Sequence, residues 1–159
     1  GATLYGLTKK LLPSEDGYRT NDEGIRQFRE LTKDFVEDYI VVPMPHGGGP
    51  NICLHLMSVI SMIDQNLAVV YSKLMPVFFR ELLVERNIKL LEVDEKEYDR
   101  LGSNVLALEP RVCLLLKGNP KIKALLEAEG CKVHTYGGYH ISYLGTGGPT
   151  CLTYPLNRF

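Results

Sequence analysis

The sequence lacks an excess of charge of either sign. Its 159 residues contain 18 Lys and Arg against 19 Asp and Glu, which gives a formal net charge of −1. Proteins that bind nucleic acid by neutralising phosphates carry a basic excess, because each contact needs a cationic side chain. The charge balance therefore argues against a nucleic-acid partner.

Long apolar runs are also missing. No stretch approaches the roughly 20 apolar residues that a membrane-spanning helix needs, and residues 1–20 lack the apolar core and cleavage site of a signal peptide. We therefore expect no membrane partner and a cytoplasmic location. Hydrophobic residues make up 45% of the chain, which suits a single domain over residues 1–159 with a core of its own.

The four cysteines form no CxxC pair, and their spacing is wide and irregular. A zinc site or a thioredoxin-like motif is therefore not indicated. The histidines show no metal-ligand spacing either, so we expect no metal site and no cofactor. We interpret the thiols as free, and three of them as packing residues: Cys53, Cys113 and Cys131.

Three helical patterns alternate with strand-like apolar runs. The helices are expected at residues 21–35, 76–87 and 119–130, and the strands at 39–44, 67–72, 88–94, 104–110, 111–117 and 131–136. The first helix has an Asn cap and an apolar face, formed by Ile25, Phe28, Leu31, Thr32 and Phe35. The order strand, strand, helix, strand recurs roughly three times. This pattern predicts an α/β fold built from ββαβ modules.

Three residues are candidates for chemistry, and each has a plainer alternative. Cys151 follows three glycines and a proline in GTGGPTCLTYPL, residues 145–156, so it is either a buried filler or a positioned nucleophile. His55 lies in an apolar run, where a histidine is more often a satisfied core residue. Arg19 precedes a capped helix and is either a surface residue or a ligand for a carboxylate. Ser103 and Asn104 are expected to satisfy backbone groups.

Four segments together resemble the guanidino-group-modifying enzymes, which include arginine deiminases, dimethylarginine dimethylaminohydrolases and amidinotransferases. The segments are YRTNDEGIRQF, LHLMSVIS, SNVLALEPRVCLLL and GGPTCLTYPL, and the likeness runs from residue 17 to 158. The resemblance implies a pentein-like α/β propeller of ββαβ modules, of which this chain contains about three of five. It also implies that Cys151 is the nucleophile, that His55 is the acid and base, and that Arg19 holds a substrate carboxylate.

The resemblance has two departures. Arginine deiminases carry His-Leu-Asp, whereas this chain has His55, Leu56 and Met57, which is closer to the dimethylarginine hydrolases. Two further modules, with acidic residues that grip the guanidinium, are expected before residue 1. We therefore expect a homo-oligomer or a partner chain that supplies the missing blades and covers exposed sheet edges.

The resemblance implies a hydrolase that acts on the guanidino carbon of arginine or a methylated arginine through a covalent cysteine-thiouronium intermediate. Two alternatives remain open. One is a shortened, non-catalytic module of the same fold that binds a ligand or a partner. The other is an amidinotransferase, in which an amine replaces water as the acceptor.

Overall fold

The computed structural model describes residues 11–50 and 54–154, which form an α/β fold. The strands are β1 Leu11–Asp16, β2 Asp38–Pro43, β3 Ile60–Asp64, β4 Leu67–Val70, β5 Lys89–Glu92, β6 Leu106–Glu109, β7 Val112–Leu116 and β8 Lys132–Tyr136. The helices are α1 Asp22–Thr32, α2 Leu56–Val59, α3 Val77–Glu85, α4 Glu95–Tyr98 and α5 Pro120–Ala128. A 3₁₀ turn, Ser72–Leu74, and a π-helix, Tyr139–Leu144, complete these elements.

The predicted ββαβ pattern is present in two consecutive modules. In the first, β3 and β4 pair antiparallel, and α3 carries the chain back so that β5 lies parallel to β4. In the second, β6 and β7 pair antiparallel and α5 leads to β8, which is parallel to β7. Ahead of them, β1 and β2 form a parallel pair connected by α1. Within the described ranges the three sheets are separate and close no barrel, and the blade count stays a prediction.

Strand β4 lies between two apolar clusters, which explains why all four of its residues are buried. Ala68 and Val70 point into a cluster with Phe79 of α3, whereas Leu67 and Val69 point into a cluster with Leu115 and its neighbours in the last module. Alternate residues of a strand face opposite sides. A continuously apolar strand is therefore what this central position requires.

Polar contacts join the two ββαβ modules at the beginning of β3 and β6. The buried Ser61 hydroxyl donates to the Ser103 carbonyl at 2.6 Å and accepts from the Val105 N–H at 3.1 Å. The Ser103 hydroxyl donates in turn to the Ser58 carbonyl at 2.8 Å. We call these contacts the serine seam, and it holds the segment before β3 against the segment before β6.

Helix α1 is only partly covered. Asn21 caps it as predicted, because its side chain accepts from the Gly24 N–H at 3.0 Å, but the helix ends at Thr32 rather than residue 35. Ile25 is buried, whereas Leu31 and Phe35 are 77% and 79% exposed. The apolar face extends past the surface that the β1–β2 pair can cover, so those two residues lie outside the core.

Each helix that the structure describes is too short or too polar to cross a bilayer.

Candidate active site

His55 lies where the chain enters the first complete module. It has an extended backbone and caps α2, the short helix that leads into β3. Its N–H donates to the Ser58 hydroxyl at 3.0 Å, which fixes the backbone on which the ring is mounted. The ring itself is half-buried and meets the Glu15 carboxylate, with Nδ1 and Oε1 2.7 Å apart.

Glu15 is the partner that the sequence did not predict. Its side chain is 2% exposed, and besides His55 it accepts from the Leu56 N–H at 2.7 Å and from the Thr20 hydroxyl at 3.2 Å. Burial raises the pKa of Glu15, but the hydrogen bonds from His55 and Leu56 outweigh it, so the pKa lies below its ordinary value of 4.5. An ionised carboxylate can only accept, so Nδ1 of His55 carries the proton. In that tautomer Nε2 is the ring nitrogen that gains or loses a proton.

Arg19 lies in the tight turn that connects β1 to α1. The Gly17 N–H donates to the Thr20 carbonyl at 3.0 Å and closes this turn, so the Arg19 side chain is exposed beyond it. Arg19 and Glu15 line the same cavity of about 430 Å³, whose other wall is α1 with Phe28. The structure therefore places the predicted carboxylate ligand at the site that also contains the partner of His55.

Cys151 is exposed in the turn that follows the π-helix. The side-chain amide of Asn104 contacts both the Cys151 thiol and the backbone of Thr150. Nδ2 donates to Cys151 Sγ at 3.1 Å, and Oδ1 accepts from the Thr150 N–H at 3.0 Å. The prediction that Asn104 satisfies a backbone group is confirmed, but the sequence did not indicate its contact with the thiol. The interpretation of Cys151 as a buried filler is wrong, because the thiol is on the surface.

The serine seam connects the two halves of the candidate site. Ser58 holds the His55 backbone and accepts from Ser103, and Ser103 directly precedes Asn104, which contacts Cys151. His55, on the segment that leads into β3, and Asn104, on the segment that leads into β6, thus lie at corresponding ends of neighbouring modules. The described contacts tie His55 to Glu15 and Cys151 to Asn104, with the seam between the two pairs.

The other cysteines and Asp64, the last residue of β3, take no part in these contacts within the described residues. Cys113 and Cys131 are buried in the apolar cluster around Leu115, which confirms their packing role, and burial raises the pKa of Cys113 to about 11. Cys53 lies outside the described residues. Asp64 binds Arg111, with Oδ2 and Nε 2.8 Å apart. Among the residues that the structure describes, no three His, Cys, Asp or Glu side chains cluster as metal ligands do.

A sequence profile of the family described as arginine deiminase matches residues 76–158, which is more than half of the chain. The chain belongs to the arginine deiminase family. The predicted resemblance to guanidino-group-modifying enzymes is therefore confirmed. An arginine deiminase of Mycobacterium marinum is 41% identical over 66 residues, which are 42% of this chain and 16% of that protein. YkgA, an uncharacterized protein of Bacillus subtilis, is 29% identical over 147 residues, covering 88% of this chain and 46% of YkgA.

Solved structures of guanidino-modifying enzymes share the fold. SxtG, an amidinotransferase of Microseira wollei, superposes with a TM-score of 0.77 at 16% identity over 94% of this chain and 45% of SxtG. Dimethylarginine dimethylaminohydrolase of Pseudomonas aeruginosa gives a TM-score of 0.68 at 18% identity over 89% of this chain and 49% of that enzyme. This member of the arginine deiminase family thus spans about half, or less, of the proteins named here.

Proposed function

We propose that this chain supplies the nucleophile and the general acid–base of a hydrolase that acts on the guanidino carbon of an arginine-like substrate. One observation carries the proposal: the serine seam connects a carboxylate-bound histidine, His55, to an exposed cysteine, Cys151, that receives a hydrogen bond. Membership of the arginine deiminase family supports the choice of substrate class.

In the first half of the proposed reaction, the Cys151 thiolate attacks the guanidino carbon and forms a C–S bond. The tetrahedral adduct then breaks one C–N bond, and the departing amine takes a proton from His55 Nε2. The Glu15 carboxylate stabilises the imidazolium that donates this proton, because it is 2.7 Å from Nδ1. The product of this half-reaction is a thiouronium bound to the protein.

In the second half, water attacks the thiouronium carbon and gives a proton to the neutral His55 Nε2. The C–S bond breaks, the electron pair returns to sulfur, the oxygen loses the second water proton to solvent, and a ureido product leaves. His55 is again protonated and Cys151 is again a thiolate, so the cycle closes without an oxidant or a cofactor. The same histidine acts as acid and then as base.

Substrate binding needs charges of both signs. We assign the substrate carboxylate to Arg19, whose side chain is exposed at the cavity that Glu15 also lines. The guanidinium cation needs carboxylate acceptors, and Glu15 is already occupied by His55 and Leu56. We therefore propose that acidic residues from modules outside residues 1–159, or from a partner chain, complete the site. Met57, at the position of the deiminase aspartate, favours a methylated arginine over arginine itself.

The partner proposal is supported by the uncovered face of α1. Leu31 and Phe35 are largely exposed, and Leu31 and Phe28 line the cavity beside Arg19. Apolar side chains at a site entrance indicate a surface that another module or subunit covers. Light scattering tests this: a dimer or larger assembly is expected, and a monodisperse monomer of the 159-residue chain would count against homo-oligomerisation.

The amidinotransferase alternative rests on the SxtG likeness and differs only in the second half-reaction, where an amine replaces water. The non-catalytic alternative keeps the fold and the cavity without turnover. Product analysis separates them, since hydrolysis yields a ureido compound, transfer yields a new guanidino compound when an amine is added, and a binding module yields neither.

Alkylation by a small electrophilic amidine, followed by mass spectrometry, tests the proposed site. Chloroacetamidine carries the planar cation of the substrate, whereas chloroacetamide carries the same leaving group without the charge. We expect chloroacetamidine to label Cys151 selectively and faster than chloroacetamide, and we expect Cys151→Ser to remove both the label and turnover. Equal labelling by both reagents, or turnover that survives in Cys151→Ser, would contradict the proposal.

A further inference from the structure

We infer that Asn104 is a positioning residue for Cys151: its amide clamps the cysteine turn and directs an N–H at the sulfur. The inference deepens the proposed function, on which its catalytic meaning rests, but it can be tested without a guanidino substrate. Asn104 is 5% exposed and lies directly after Ser103 of the serine seam, so its backbone is held by the module core.

The orientation of the Asn104 amide follows from its two partners. The Thr150 N–H can only donate, so the atom 3.0 Å from it must be the amide oxygen. The amide nitrogen is then the atom 3.1 Å from Cys151 Sγ, and it presents an N–H to the sulfur. One planar group thereby fixes the turn through its oxygen and the thiol through its nitrogen.

Gly148 makes this clamp possible. A Cβ at residue 148 would lie 2.4 Å from Asn104 Oδ1 and 2.7 Å from Asn104 Cβ, which is far inside contact distance. Only glycine lets the turn lie directly on the Asn104 side chain. The glycine that precedes Pro149 and the cysteine is therefore required for close approach to Asn104.

The direction of the hydrogen bond determines its chemical effect. An N–H aimed at sulfur stabilises the thiolate more than the neutral thiol, because hydrogen bonds to charged groups are the stronger ones. Asn104 therefore promotes the nucleophilic form of Cys151 and orients it. In the proposed reaction the same N–H also holds the sulfur when the C–S bond breaks and the thiolate leaves.

Carbamidomethylation of Cys151 by iodoacetamide in the full chain, followed by peptide mass spectrometry across pH, tests this role. Asn104→Asp keeps an oxygen for the Thr150 N–H but removes the N–H donor, and Asn104→Leu removes the donor without adding charge. Asn119→Ala is the matched control, because Asn119 is an equally buried amide of the same module whose Nδ2 donates to the Arg100 and Leu116 carbonyls instead.

We expect both Asn104 variants to alkylate about tenfold more slowly at pH 7, with rate profiles moved to higher pH by about one unit, since one hydrogen bond to a charged group is lost. Asn119→Ala should lower stability and leave the Cys151 profile unchanged. Wild-type rates and profiles in both Asn104 variants overturn the inference. If these variants do not fold, Gly148→Ala decides: slowed alkylation supports the clamp, and an unchanged rate overturns it.

The outcome for Asn104 is independent of the outcome for the proposed function. Iodoacetamide needs no guanidinium pocket, so slowed alkylation in the Asn104 variants together with a wild type that turns over no guanidino compound would leave the clamp intact and reject the hydrolase. If the wild type turns over a guanidino compound but the Asn104 variants alkylate at the wild-type rate, the hydrolase is supported and the clamp is rejected.

Discussion

The Glu15 carboxylate accepts a hydrogen bond from Nδ1 of His55 at 2.7 Å, although 40 positions separate the two residues in the chain. Strand β1 carries Glu15, and the segment that enters the first complete module carries His55. This contact sets the tautomer of the proposed general acid–base. It also accounts for a carboxylate that is buried yet ionised.

Replacing Glu15 with Gln is expected to lower turnover about 100-fold while leaving the chain folded. The neutral amide no longer stabilises the imidazolium that donates a proton to the leaving amine. Steady-state kinetics on the preferred guanidino substrate measures the effect, and circular dichroism checks the fold. The conservative Glu15→Asp should retain more activity than Glu15→Gln, and the opposite order would reject the electrostatic explanation.

The free energy of unfolding is expected to decrease at low pH, in part because Glu15 becomes protonated. Because its pKa in the folded protein lies below the ordinary 4.5, ionised Glu15 favours the folded state above about pH 4.5, and this contribution disappears as pH decreases through the lower folded pKa. Urea denaturation between pH 3 and 7 measures it. The difference in unfolding free energy between wild type and Glu15→Gln should shrink towards low pH, and a difference independent of pH would contradict the assignment.

Arg19→Ala is expected to raise KM for arginine-like substrates at least about tenfold and to change kcat little, because an ion pair with the substrate carboxylate contributes to binding. A simple alkylguanidine, which has no carboxylate, serves as the control substrate and should show no change in KM. Arg80, which contacts Ser72 and Glu92 on the surface, provides a control variant. Equal losses on both substrates would exclude the assigned role.

Ser61→Ala is expected to destabilise the chain by about 1–3 kcal/mol, since it leaves the buried Ser103 carbonyl and Val105 N–H without their partner. Ser72→Ala is the comparison, because Ser72 bonds Glu92 at the exposed surface and its removal should change stability by less than about 1 kcal/mol. Urea denaturation of both variants gives the answer. If the serine seam contributes nothing to stability, Ser61→Ala and Ser72→Ala should unfold at the same urea concentration.

The thiols are expected to differ sharply in reactivity at pH 8. Burial raises the pKa of Cys113 to about 11 and also raises that of Cys131, so neither forms much thiolate, whereas Cys151 is exposed. Iodoacetamide in the native state should therefore label Cys151 and spare Cys113 and Cys131. In concentrated urea all four cysteines of the chain, Cys53 included, should react. Native labelling of Cys113 would show that the last module opens.

Sequence patterns predicted the local structure because its determinants are local. Asn21 and the acidic residues after it mark the start of α1, and the apolar runs of the last module fall on β6, β7 and β8 within two residues. The family resemblance predicted Cys151, His55 and Arg19 as candidates. In the structure His55 contacts Glu15, Arg19 lines the cavity that Glu15 also lines, and Cys151 accepts from Asn104. Their roles stay predictions that the experiments above address.

The contacts that create the site could not be read from the sequence. Glu15 meets His55 only because β1 lies beside the entry to β3, and Asn104 meets Cys151 only after the chain has passed through the whole last module. The sequence also did not predict that Leu31 and Phe35 are exposed to solvent. Periodicity shows that a helix has an apolar face but does not show how far the neighbouring sheet extends.

The serine seam makes the spacing between His55 and Cys151, the proposed base and nucleophile, depend on how the two modules dock. The hydroxyls of Ser61 and Ser103 both form their hydrogen bonds only when the two modules dock in one relative position. A displacement of about 1 Å between reacting groups can reduce a rate about 100-fold. A substitution at the seam, remote from any substrate, would thus silence chemistry in a protein that still folds, and a genetic screen would score it as a catalytic mutation.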